Sequence, residues 1–282
     1  MENGLPGRTR WLDVAPGRLP GWLESFADRH GGLTGPPQYL SPDTPESDPG
    51  APAGSGSGSA ERGSVRASAR AGASVVVFHA ADGAIAECHI PFPPLPATPA
   101  SGTPASRGVA SDSLADSEPR ASATRMAAHA LADRTVGVLL VRLGGYAAGV
   151  FTGTDQHLAA SKVGSRLVHG RSAAGGQSQR RFARRREKQA NEALGAAADT
   201  AAAVFGPYNG RLDAVVLGGD KRAMSGLADD PRLRPFLDLA VDRFLTVPDP
   251  RLAVLKSAPR MFTAIHIRLT EPASPDDPAA AS

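Results

Sequence analysis

The chain has 282 residues, a formal net charge of +3, and 31 Gly plus 25 Pro, about a fifth of its length. That length suits one or two domains, less what the Gly- and Pro-rich stretches withhold from a core. The single cysteine, Cys88, excludes an internal disulfide. No run of about 18 apolar residues is present to span a bilayer, and the opening MENGLPGRTRW lacks an apolar signal core, so a soluble cytoplasmic protein without membrane contact is expected.

Residues 18–30, RLPGWLESFADRH, place Leu19, Trp22, Leu23 and Phe26 on one face at helical spacing. This predicts a short amphipathic helix in an N-terminal segment 1–33, docked on the main domain; a partner-binding helix is the alternative. Residues 34–72 read as a flexible linker. The next stretch, SVVVFHAADGAIAECHI, has two apolar runs around Asp82-Gly83, the pattern of a tight β-hairpin. A second Pro-rich stretch, about 91–120, reads as a disordered insertion in a domain covering 73–270, and 271–282 as a disordered tail.

After the insertion TRMAAHALADR predicts a short helix, and TVGVLLVRLGGYAAGVFTGT a strand pair around Gly144-Gly145. HLAASKVGSRL predicts a further strand. From Ser178 to Phe205, Ala183, Ala190, Leu194, Ala197, Ala201 and Val204 recur at spacings of three, four and seven with no Pro, which predicts one long amphipathic helix of roughly 40 Å. LDAVVLGGD reads as a buried strand, PRLRPFLDLA as a helix, RFLTV as a short strand and RMFTAIHIRL as a final strand. Strands in hairpins mixed with helices indicate an α/β fold with a mixed β-sheet and packed helices.

The chemistry concentrates in SRLVHGRSAAGGQSQRRFARRREKQANEAL, residues 165–194. Arg171, Arg180, Arg181, Arg184, Arg185, Arg186 and Lys188 stand against the single acid Glu187, a block that asks for a polyanionic partner. Gly175-Gly176 gives a loop without side chains that can approach a crowded surface. Gln177 stands at its tip, beside a helix N-terminus whose free amides favour electron-rich oxygens. Behind it, Arg180, Arg184 and Lys188 fall on one helical ridge and Arg181 and Arg185 on the next. A Gly-Gly-Gln tripeptide alone is common, and a basic helix alone is usually a solvated or RNA-facing surface. The two joined end to end are far more specific.

GGQSQRRFARRREK resembles the catalytic loop and following helix in the middle domain of eukaryotic and archaeal class I peptide release factors, which read H-G-R-G-G-Q-S-x-x-R-F-A-R-x-R. His169-Gly170-Arg171 matches upstream, and Ser178, Arg181, Phe182, Ala183, Arg184 and Arg186 match downstream. AVVLGGD, residues 214–220, resembles the strand that follows the long helix there. Ser172, Ala173 and Ala174 are inserted between the two halves of the motif, and no counterpart of the codon-reading or partner-binding domains is seen. That pattern resembles the Vms/ANKZF-type branch in its single-domain actinobacterial form, in which a glutamine two positions further along is the functional one in some members. Gln179 is therefore a rival to Gln177.

The resemblance implies a release-factor middle-domain-like fold and hydrolysis of the peptidyl-tRNA ester on a stalled large ribosomal subunit. It implies Gly175, Gly176 and Gln177 as the catalytic loop. Arg171, Ser178, Arg180, Arg181, Arg184, Arg185, Arg186 and Lys188 become the RNA contacts, with the large subunit, its rRNA and peptidyl-tRNA as partners. No protein nucleophile, metal or cofactor is implied: the glutamine N–H steadies the developing charge and its side-chain amide places water. The alternative is a non-catalytic rRNA- or tRNA-binding protein that uses the basic helix alone.

Other candidates read as structural. The seven histidines are dispersed, without the spacing of a zinc site. His79, His89 and His266 fall in predicted strands. Gly218-Gly219-Asp220-Lys221 lacks phosphate-loop spacing and reads as a strand-end turn. Cys88 reads as core, with His89 on the opposite strand face.

Overall fold

The computed structural model describes residues 8–41, 72–96, 112–142, 144–165 and 178–272, with the backbone path alone for 112–117 and 178–187. In chain order the strands are β1 (Arg8–Val14), β2 (Gln38–Leu40), β3 (Gly72–Ala73), β4 (Val75–His79), β5 (Ile85–His89), β6 (Leu95–Pro96), β7 (Val136–Arg142), β8 (Gly145–Thr152), β9 (His157–Ser165), β10 (Ala214–Gly219), β11 (Ala240–Leu245) and β12 (Ile265–Glu271). The helices are α1 (Leu19–Arg29), α2 (Asp112–Ala130), α3 (Ser178–Phe205), α4 (Lys221–Ser225), α5 (Arg234–Leu237) and α6 (Leu252–Phe262). Among the described residues no helix is long and apolar enough to cross a membrane. The chain divides into two compact units, residues 1–126 with 265–282, and residues 127–264.

The first unit is built on an antiparallel sheet in the order β1-β12-β5-β4-β2. Its β4–β5 hairpin turns at Asp82-Gly83, where Gly83 has φ +90° and the Ala84 N–H donates to Asp82 Oδ1 at 2.9 Å. Burial alone would raise the Asp82 carboxyl, but hydrogen bonds from His30 and the Ala84 N–H outweigh it and hold the group below its usual range. Alternation sends Val76, Cys88 and Ile267 in one cross-strand row into the core. Cys88 is fully buried, which raises its thiol pKa well above the ordinary value. Helix α1 buries Leu19, Leu23 and Phe26, with Trp22 stacked on Phe26 at 5.6 Å.

The opposite face of this sheet carries Trp11, His266 and His89. Trp11 stacks on His266 at 4.4 Å, and His266 Nδ1 meets Asp13 Oδ1 at 2.7 Å. Several features depart from the sequence expectation. Strand β1 lies in an N-terminal segment for which only a helix was predicted, β2 lies inside the stretch read as a flexible linker, and β6 and the start of α2 at Asp112 lie inside the stretch read as a disordered insertion.

The second unit holds a mixed sheet, β11-β10-β7-β8-β9, with β10 parallel to β7 and β11 and the remaining pairs antiparallel. This is the α/β arrangement with a mixed sheet that the sequence predicts. One face packs against α3 through Leu139, Val141, Tyr146, Ala148, Val150 and Val215. The other receives α6, whose Leu255, Ala258 and Phe262 are buried, with Phe262 edge-on to Phe151 at 5.9 Å. Helix α6 is a correction: RMFTAIHIRL begins with the last turn of a helix, and strand geometry starts only at Ile265. PRLRPFLDLA is likewise mostly turn, with α5 limited to four residues, Arg234–Leu237, and Pro235 in its first turn.

Candidate nucleic-acid interface

Edge strand β9 and helix α3 bracket the Gly-Gly-Gln segment. Strand β9 ends at Ser165, paired with Gly145 at the hairpin turn that also takes Arg142. Gly164 sits under the Tyr146 ring, where a Cβ would stand 2.6 Å from the ring atoms; only glycine lets strand and ring lie this close. Arg142 Nη1 donates to the Val247 carbonyl at 2.8 Å, tying the same sheet end to the chain beyond β11.

The direction of α3 follows from its two packed ends. Phe205 lies against Gly137 near the start of β7, where Val215 of β10 also reaches, and meets Phe236 edge-on at 5.4 Å. Leu194 lies against Gly226, beyond the C-terminal end of β10. The helix therefore runs antiparallel to β7 and β10. The α3 backbone ahead of Leu194 extends past the C-terminal edge of the parallel strands.

Burial agrees with that direction. Ala193, Ala197, Ala198, Ala201, Val204 and Phe205 are buried, whereas no side chain from Lys188 to Glu192 is. The alanines let the helix axis approach the sheet closely. At 1.5 Å per residue, residues 188–192 carry the helix roughly 7 Å ahead of its first described buried side chain, and the backbone of 178–187 continues it. The packed half is pinned from outside by Arg232, which donates to Asp199 Oδ1 on α3 at 2.7 Å and to both oxygens of Asp230. Those bonds hold the Asp230 carboxyl below its ordinary range and raise the Arg232 guanidinium.

The Gly218-Gly219-Asp220-Lys221 stretch is a strand-end turn, as read. Gly219 takes φ +105°, and Asp220 caps α4 by accepting from the Arg222 and Ala223 N–H groups.

Of the residues singled out in the sequence, Lys188 is described in full. Its side chain is 80% exposed, with Glu192 at 3.9 Å, so its charge stands in solvent. Ser178, Gln179, Arg180, Arg181, Arg184, Arg185 and Arg186 fall within α3, the first ten residues of which are described by backbone alone. Arg171, Gly175, Gly176 and Gln177 lie outside the described residues. The positioning role of Arg232 was missed, because its α3 partner Asp199 is 33 residues away and no local pattern links them.

Comparison with known proteins gives three findings. Residues 134–268 match the family described as Actinobacteria/chloroflexi VLRF1 release factor. Among solved structures, an archaeal translation termination factor, aRF1, gives a TM-score of 0.33 at 14% identity over 46% of this chain and 36% of that one. A structure described as the Vms1 mitochondrial localization core gives 0.27 at 11% identity over 68% of this chain and 75% of that one. The chain thus spans about a third of the archaeal factor's length. No curated protein matches.

Proposed function

We propose that this chain, release-factor-like and of the VLRF1 type over residues 134–268, hydrolyses the ester of peptidyl-tRNA on the large ribosomal subunit and so frees stalled nascent chains. The observation that carries this reading is the projection of α3. Among its described side chains burial begins at Ala193, and its backbone continues from there past the sheet edge to Ser178, next to the Gly-Gly-Gln segment. A rod of that kind is what a catalytic loop needs to reach an ester enclosed by RNA, because cations along it offset the phosphate charge on either side.

In this reading Gly175 and Gly176 let the backbone approach the ester, and the N–H of Gln177 faces the developing negative charge. The side-chain amide of Gln177 places the attacking water. The rate gain comes from positioning and from donors already oriented before reaction. Arg171, Ser178, Arg180, Arg181, Arg184, Arg185, Arg186 and Lys188 serve as RNA contacts.

The test is single-turnover release of peptide from peptidyl-tRNA bound to purified large subunits. Wild type releases peptide. Gly176→Ala and Gln177→Ala lose release by at least a hundredfold while still binding subunits, and Gln179→Ala, assayed beside them, retains it. Subunit binding without any release by wild type would leave the second reading, an RNA-binding protein without catalysis.

A further inference from the structure

Helix α6 carries a charge pattern that neither the fold nor the release chemistry uses. Its inner face, Leu255, Ala258 and Phe262, fills the sheet face opposite α3. Its outer side presents Arg251, Lys256 and Arg260, all exposed, together with Leu252 at 44% exposure. No carboxylate occurs between Arg251 and Phe262. None of the three cations takes part in an ion pair among the described residues.

Two of these positions work against the helix that carries them. Lys256 and Arg260 are four residues apart, so two like charges stand side by side on one ridge. Arg251 occupies the N-cap, with extended backbone and no side-chain hydrogen bond to the first turn, where an oxygen acceptor is preferred and a cation opposes the helix dipole. A ridge that costs the helix stability in isolation is stabilised when an external polyanion lies along it. The 1.5 Å rise sets Lys256 and Arg260 about 6 Å apart along the axis, a step that suits successive groups of a phosphate backbone.

We propose that the outer ridge of α6, Arg251, Lys256 and Arg260, is a second RNA-contacting surface that grips ribosomal RNA of the large subunit. This rests on the reading of the chain as a large-subunit factor. Ribosomal RNA, not the tRNA being hydrolysed, is the occupant because the ridge lies on the sheet face opposite α3. On the reading above, the tRNA acceptor end is met from the start of α3, the helix packed on the other face. RNA held on both faces of the sheet would fix the orientation of the domain and thereby aim α3.

The experiment compares full-length wild type with the triple variant Arg251→Gln, Lys256→Gln, Arg260→Gln. Binding is measured to purified large subunits, to deacylated tRNA and to vesicles of phosphatidylglycerol and phosphatidylcholine, each across a salt series. Circular dichroism and melting check that the variant folds. For large subunits the expected result is a log K against log salt slope shallower by about 2 to 3, because each phosphate left without its cation takes a little under one from the slope. At moderate salt the affinity falls at least tenfold. An unchanged slope and affinity would overturn the inference, as would a loss seen only with tRNA or only with vesicles. Peptide release, measured at saturating factor, keeps the two readings apart. A variant that binds weakly but releases at the wild-type limiting rate supports the ridge. A wild type that never releases peptide sinks the hydrolase reading and leaves the salt series to decide the ridge.

Discussion

Gly219 and Val141 meet backbone to backbone at the end of β10: the Asp220 N–H donates to the Val141 carbonyl at 2.8 Å, and a Cβ on Gly219 would stand 2.1 Å from that same oxygen. With φ at +105°, the position refuses any L side chain on two counts, conformation and space. Gly219→Ala is therefore expected to destabilise the protein by about 3 kcal/mol, near the top of the range for a single strained residue. Gly83→Ala is the control, since Gly83 has φ +90° but nothing within 4 Å of the added carbon. It should cost only the conformational strain, about 1 kcal/mol. Urea titrations of the two variants give the comparison, and equal losses would disprove the steric part of the argument.

The clasp between α3 and the sheet rests on aromatic packing at its base. Phe205 is 1% exposed and meets Phe236 edge-on, beside Gly137 and Leu212. Phe205→Ala should cost about 3–5 kcal/mol through lost transfer energy and the cavity left behind. Arg232→Met, opposite the outer side of the same helix, removes ion pairs that are half exposed and should lower the melting temperature far less than Phe205→Ala. Melting curves on both variants would show the apolar clasp, not the surface charges, holding the rod in place.

His89 sets a pH dependence in the first unit. Burial, opposed by Glu87 and assisted by His266 and Arg268, holds its pKa below the ordinary 6.5. Its Nε2 is buried without a partner, while Trp11, His266, Glu87 and Arg268 surround the ring and Val75 faces it across β4. The unfolded chain therefore takes up the proton first as pH falls through 6.5, and stability is lost from that point downward. His89→Gln should flatten this dependence between pH 7 and 5, read by urea midpoints. Trp11 fluorescence reports the same neighbourhood locally. A midpoint that falls as steeply in the variant as in wild type would assign the effect elsewhere.

These relationships also show which parts of the molecule its sequence could declare. Helix α3 was legible to both ends because its Ala and Leu positions keep one period from Ala183 to Val204 with no proline. The two hairpins were legible from Asp82-Gly83 and Gly144-Gly145, where glycine takes positive φ. Strand β1 was not, since its partner β12 lies at the other end of the chain and Val14 pairs with Ile265. Nor was α6: Pro259 lies inside it, and its Ile- and Phe-rich continuation reads as one strand. The start of α2 has the Ala, Ser and Asp content of the linker before it, with Pro119 inside the helix. In the candidate site the sequence supplied the motif and its charge. The exit of α3 past the sheet edge came only from the contacts of Leu194 and Phe205.

That exit separates two roles along one helix, and proline can test them in turn. Ala190 is exposed on the projecting half, where no side chain from Lys188 to Glu192 is buried. Proline there removes the hydrogen bond to residue 186 and kinks the rod at an exposed position, ahead of the first described buried turn. Ala190→Pro should melt within a few degrees of wild type yet lose peptide release by a hundredfold or more, because a displacement of about 1 Å at a reacting centre already costs that much. Ala198→Pro puts the same defect in the packed half, at a residue 1% exposed against the sheet, and should unfold the second unit. If Ala190→Pro released peptide at the wild-type rate, the straight helix between domain and loop would have no part in delivering the loop, and the role assigned to α3 would fall.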